Sequence, residues 1–176
     1  MINMTVTNAP HVFLTLTAIA GCLHDLRNRR IPNYLTFGSA ALAILYAAVT
    51  SGWDGLGVAL AGWAVGIVLF MPFFLLRGMG GGDVKLLAAL GAWVGPSTLL
   101  SIIFYTAIAG GVMALIVILW QRKLQSTFRN LWLLLCHWRV SGVRPLNELS
   151  LDNKDAPRLA YGLPIAVGAM VTIWLH

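Results

Sequence analysis

The chain has 176 residues, 59% of them apolar and 10% charged, against about 45–50% and 25% in soluble domains. With a mean hydropathy of +0.80, that balance leaves too little polar surface for a soluble globule and excludes disorder, collagen and coiled coil. Two cysteines exclude a disulfide scaffold. The formal charge of +6 fits a basic cytoplasmic side of a membrane protein, so lipid is expected as a partner and nucleic acid is not. Composition thus predicts one all-α, membrane-embedded domain over 1–176.

Six apolar runs follow one another along the chain. The first covers 5–23 and ends at His24-Asp25-Leu26-Arg27; the second covers 34–49 and the third 56–76. After a glycine cluster a short run over 84–94 stops at Gly95-Pro96. The fifth covers 99–120 and the last begins at Leu159. About 20 residues cross the hydrocarbon as a helix. The third and fifth runs meet that length, and the first two do so with flanking residues. The fourth reaches it only with its glycines, so a half-buried or broken helix is expected there.

Reading all six as spans puts all twelve lysines and arginines on one side. Arg27, Arg29 and Arg30 follow the first span, Arg77 and Lys85 bracket the turn after the third, and the other seven lie within 121–158. The positive-inside rule then places the N-terminus outside and these three loops in the cytoplasm. Ala18-Ile19-Ala20 resembles a signal-peptidase site, but residues 1–10 hold no lysine or arginine, so the first span is read as a retained helix. Within 121–158, Phe128, Leu131, Trp132, Leu135 and Trp138 recur at helical spacing. This pattern predicts an amphipathic helix at the cytoplasmic interface, or one packed on the bundle.

Six carboxylates are present. Glu148, Asp152 and Asp155 belong to the long polar loop and Asp54 to an outer one, where solvation accounts for them. Asp25 and Asp83 sit at edges of apolar runs on the same side, and an ionisable group at membrane depth marks a functional site by default. Taken singly, Asp25 could pair with Arg27, Arg29 or Arg30, and Asp83 could be a helix-start carboxylate favoured by the dipole. Brought together, two carboxylates share one proton, because like charge and loss of water disfavour ionising both. That state suits peptide hydrolysis: the ionised member takes a proton from water while the protonated one polarises the scissile carbonyl.

Gly78-Met79-Gly80-Gly81-Gly82-Asp83 leads into the second aspartate with four glycines. A backbone without Cβ atoms allows close approach by another chain, although a hinge between spans would use glycine too. No Gly-Lys-Ser/Thr follows, which disfavours a phosphate loop. The four histidines form no spaced ligand set with Cys22 or Cys136, so neither a metal nor an organic cofactor is expected.

Three segments resemble the prepilin peptidases, membrane aspartic proteases of the GxGD type. They are Asp25-Leu26-Arg27-Asn28-Arg29-Arg30-Ile31-Pro32-Asn33, Gly80-Gly81-Gly82-Asp83-Val84-Lys85-Leu86 and Ala160-Tyr161-Gly162-Leu163-Pro164-Ile165-Ala166. The resemblance implies Asp25 and Asp83 as the catalytic pair, with Gly80 and Gly82 giving the loop its close approach and Lys85 as an accessory residue. The implied partner is a prepilin or pseudopilin, its basic leader cut beside a glycine at the cytoplasmic face of the inner membrane, before an apolar helix. Pilus assembly machinery is a further possible partner. Larger members carry an insertion with two CxxC pairs and also methylate the new N-terminus. The two single cysteines here argue against methyl transfer, and the chain resembles the short, peptidase-only branch of tight-adherence (Flp-type) systems.

Two other classes fit part of the pattern. A small transporter or channel component would use the two aspartates as proton or cation sites. A non-catalytic assembly partner would tolerate their loss. Placement of the aspartates beside glycine at the membrane edge, rather than at mid-bilayer, favours the peptidase.

Overall fold

A computed structural model describes residues 4–76, 79–120 and 160–175, and these are helical throughout apart from short turns, with no strand among them. The elements are α1 (Met4–Asn28), α2 (Asn33–Leu75), α3 (Gly81–Trp120) and α4 (Gly162–Leu175). The expected amphipathic helix within 121–158 lies outside the described residues.

Local chemistry sets the helix ends that matter. Arg29 adopts φ 51 and donates its N–H to the Asp25 carbonyl at 2.8 Å, a left-handed cap that stops α1. Pro32 then caps α2 in extended conformation, φ −70 and ψ 142, its fixed ring suited to a helix start. Gly80 opens α3 by accepting the N–H groups of Asp83 at 3.1 Å and Val84 at 3.4 Å.

Both long helices break once. Gly52 has φ 60 and ψ −142, and Gly95, just before Pro96, has φ 75 and ψ 175. Side chains resist those angles. The contacts on either side show that the chain reverses at Gly52. Along 33–46, Lys85 meets Asn33, while Trp93 meets Ser39 and Tyr46, so this half of α2 runs parallel to the start of α3. Along 58–66 the order inverts, because Gly66 abuts Ala88, Gly62 abuts Gly91, and Val58 abuts Gly95. At the second break a Cβ on Gly91 would lie 2.7 Å from Leu99 Cδ2, whereas a straight helix would separate those residues by about 12 Å. The sequence therefore reads correctly as six apolar helical segments, two pairs of them hairpins across a glycine.

The short fourth run is the centre of the fold, and the expectation of a broken helix there is corrected. Its helix is continuous from Gly81 to the break at Gly95. Leu86, Leu87, Ala88, Ala89 and Leu90 have no exposed surface. Being covered on every side, this segment shows no polar face. α1 crosses it in the opposite sense, with Gly21 against Leu86 and Phe13 stacked on Trp93 at 5.1 Å. α4 packs on the second half of α3 through Gly168 and Thr106. Large apolar side chains face outward, among them Leu45, Val49, Val68 and Leu75, each more than 60% exposed. Glycine and alanine meet where α2 crosses the central helix, buried leucines fill the space around them and other large apolar side chains cover the outside, as in helices that pack within lipid.

One polar chain crosses this interior. Trp93 Nε1–H donates to Ser39 Oγ at 2.9 Å, and Ser39 Oγ lies 2.7 Å from Thr17 Oγ1. Thr17 gives its own hydrogen to the Phe13 carbonyl at 2.8 Å. Each hydroxyl has one hydrogen, so Ser39 must donate to Thr17. That order ties α1, α2 and the central helix together.

Candidate active site

Asp25 occupies the last turn of α1 and Asp83 the first turn of α3. Because α1 runs antiparallel to the central helix, the end of one comes beside the start of the other. Both side chains are buried, 8% and 7% exposed, and their carboxylates lie within electrostatic reach of each other.

The partner of Asp25 is not an arginine. Among the described residues no ion pair joins it to Arg27, Arg29 or Arg30, and all three are exposed. Arg27 is two residues on and faces away around the helix, and Arg29 has left the helix at its left-handed cap. Instead Gly162, 137 residues distant, donates its backbone N–H to Asp25 Oδ2 at 2.8 Å in a buried bond. The helix-start alternative for Asp83 describes its position but does not account for its burial against a second carboxylate.

The glycines before Asp83 are sites of contact. A Cβ on Gly80 would stand 3.0 Å from Asp83 Oδ2, and one on Gly82 would stand 3.1 Å from Ile31 Cβ. Gly82 thus lays the loop on the Ile31-Pro32-Asn33 turn. Lys85 adds a second link between the same segments, donating to Asn33 Oδ1 at 2.9 Å with its amine 5.2 Å from the Phe37 ring centre. Its charge is turned to that pair of residues rather than to either aspartate. Beside this loop lies a cavity of about 300 Å³ lined by Phe37, Trp63, Met71, Phe74, Gly81 and Lys85, among others.

The remaining candidates fall elsewhere. Asp54 is exposed just past the break at Gly52, while Glu148, Asp152, Asp155 and Gly78 lie outside the described residues. His24 bonds the Ala20 carbonyl through Nδ1 at 3.0 Å and meets the Tyr34 hydroxyl at 3.4 Å. Among the described residues no three His, Cys, Asp or Glu side chains gather. Residue-by-residue reasoning gave Tyr161 and Gly162 no role. Their segment stood out as a motif, and the structure sets Gly162 on Asp25 and Tyr161 within electrostatic reach of Asp83.

Two buried carboxylates from separate helices thus come to one end of the fold, with a glycine loop on one side and a backbone N–H on the other. The sequence profile of the type IV leader peptidase family matches residues 12–115, a stretch containing both aspartates. The chain belongs to that family. It is 38% identical over 109 residues to a "Prepilin leader peptidase/N-methyltransferase" of Xanthomonas campestris pv. campestris, covering 56% of this chain and 36% of that protein. Proteins of the same name are 35% identical over 122 residues in Aeromonas hydrophila, covering 65% and 42%, and 33% identical over 120 residues in Escherichia coli K12, covering 65% and 51%. The chain thus spans about a third to a half of the length of these curated relatives. No solved structure matches it.

Proposed function

We propose that this chain is an aspartic endopeptidase of the inner membrane that removes the leader from type IV prepilins or pseudopilins, with Asp25 and Asp83 as its catalytic pair. The observation that carries the reading is the burial of these two carboxylates within electrostatic reach of each other, each at a helix end and each beside a glycine contact. Water held between them loses a proton to the ionised carboxylate and attacks the scissile carbonyl. The protonated carboxylate gives its proton to the carbonyl oxygen, so the tetrahedral adduct forms without net charge. Collapse breaks the C–N bond as the protonated carboxylate gives its proton to the leaving amine and the ionised one takes a hydroxyl proton from the adduct, which regenerates the shared-proton pair.

In this reading the six helical segments are six spans with the N-terminus outside, and the dyad faces the cytoplasm. The support is the charge asymmetry of the loops, together with the position of both aspartates at the end where Arg27, Arg29 and Arg30 emerge. Gly80 and Gly82 let the loop close on Asp83 and on Ile31, and Lys85 holds the same loop against Asn33. In this reading the prepilin is of Flp type and leader cleavage is the activity of this chain; the support is the short turn between Asp25 and α2, which leaves no room there for an insertion with CxxC pairs.

The test is leader removal from a co-expressed Flp-type prepilin, read by gel shift. Asp25→Asn and Asp83→Asn should each abolish cleavage while the protein still inserts in the membrane, and Glu148→Gln should cleave as wild type does. Near-normal turnover by either aspartate variant would remove that residue from the pair.

A further inference from the structure

The start of α4 packs on the end of α1 at Gly162. Gly162 N–H reaches Asp25 Oδ2 at 2.8 Å. A Cβ at Gly162 would stand 2.9 Å from Asp25 Cβ, 3.0 Å from Oδ2 and 3.2 Å from Cys22 Cα. The first of these distances is shorter than real Cβ atoms accept, and the last is to backbone, which cannot swing aside. Glycine is therefore required for this approach although the residue's backbone angles are ordinary. The first N–H groups of a helix have no partner within it, and their positive end favours a carboxylate. Here Asp25 supplies the acceptor across the fold.

We propose that Gly162 is a positioning residue for catalysis, its N–H and missing side chain together fixing the Asp25 carboxylate in one rotamer. Resting on the aspartyl reading above, this assigns the two oxygens of Asp25. Oδ2 accepts the backbone donor, while Oδ1 accepts no hydrogen bond among the described residues and keeps both lone pairs to take the proton from water. It also gives α4, which carries no ionisable group among residues 162–175, a direct part in the chemistry.

Gly162→Ala, purified in detergent and normalised to folded protein, should cleave a Flp-type prepilin with kcat lowered about 10- to 100-fold and KM within about twofold, the range for a displaced reacting group. An unchanged kcat, or a raised KM with kcat intact, would overturn the proposal. A second comparison reads the bond without turnover and decides the matter if Gly162→Ala does not fold. Asp25→Asn keeps a carbonyl acceptor for Gly162 N–H, whereas Asp25→Ala leaves that donor buried and unpaired. Asp25→Ala should therefore unfold at a clearly lower temperature than Asp25→Asn. Equal melting temperatures would overturn the proposal. If Asp25→Asn instead retained cleavage, the aspartyl reading would fall, while the melting comparison would still report on the bond.

Discussion

Gly82→Ala isolates how tightly the loop before Asp83 must sit on the turn after Asp25. The new Cβ would lie 3.1 Å from Ile31 Cβ, 3.4 Å from its backbone nitrogen and 3.5 Å from Cγ1. Carbon atoms rest at about 3.5–4.0 Å, so loop and turn must separate by about 0.4–0.9 Å. Gly82 does not have a left-handed backbone, and alanine therefore adds no conformational strain of its own. Asp83 is the next residue and moves with the loop, while Asp25 stays with α1. A misplacement near 1 Å costs catalysis about 100-fold, so kcat should fall about 10- to 100-fold, equivalent to about 1.4–2.7 kcal/mol of transition-state stabilisation. The assay is prepilin cleavage in detergent or proteoliposomes, with kcat and KM measured separately. Gly38→Ala serves as the control, since nothing lies within 4 Å of its Cβ, and it should match wild type. A Gly82→Ala enzyme within twofold of wild type would refute the link between this contact and the alignment of the two carboxylates.

Three further substitutions test the frame around the site. Gly91→Ala drives a Cβ onto the Gly62 carbonyl oxygen and to 2.7 Å from Leu99 Cδ2. Overpacking costs about 1–3 kcal/mol, so a smaller folded fraction is expected by size-exclusion chromatography in detergent. Ser39→Ala leaves Trp93 Nε1–H without its acceptor, at about 1–3 kcal/mol. The melting temperature should drop, with cleavage retained at low temperature. Lys85→Met removes the exposed bond to Asn33 but keeps the stem against Phe37. Because the amine touches neither aspartate, kcat should fall less than tenfold, and a complete loss would place Lys85 in the chemistry itself.

The two aspartates were legible because a charge at the edge of an apolar run is conspicuous where everything around it is uncharged. The glycine cluster and the Ile31-Pro32-Asn33 turn were legible for a related reason, since both interrupt a helix. The hydrogen-bond partner of Asp25 was not. Its neighbours in sequence are arginines, and proximity along the chain suggested an ion pair. The donor is a backbone N–H 137 residues away, and a backbone group leaves no mark in the sequence beyond the glycine that lets it approach.

The centrality of 81–94 was hidden for a different reason. In a soluble domain the polar stripe of a helix reveals its outer face, and the core is found by subtraction. In lipid both faces are apolar, so Leu86 against the core and Leu75 toward the surroundings look alike on the page. What does leave a mark is the crossing itself, where backbones come closest. Gly62, Gly66, Ala88 and Gly91 line the crossing of α2 with the central helix, while Leu45, Val49 and Val68 stand on the outside. Dispersion is the attraction left once water is gone, and it grows as backbones come closer. Gly62, Gly66 and Gly91 therefore lie where two helices touch, whereas Gly38 and Gly111 face open space. Gly162 follows the same rule at the active site, where a missing side chain brings the α4 backbone to within hydrogen-bond reach of Asp25.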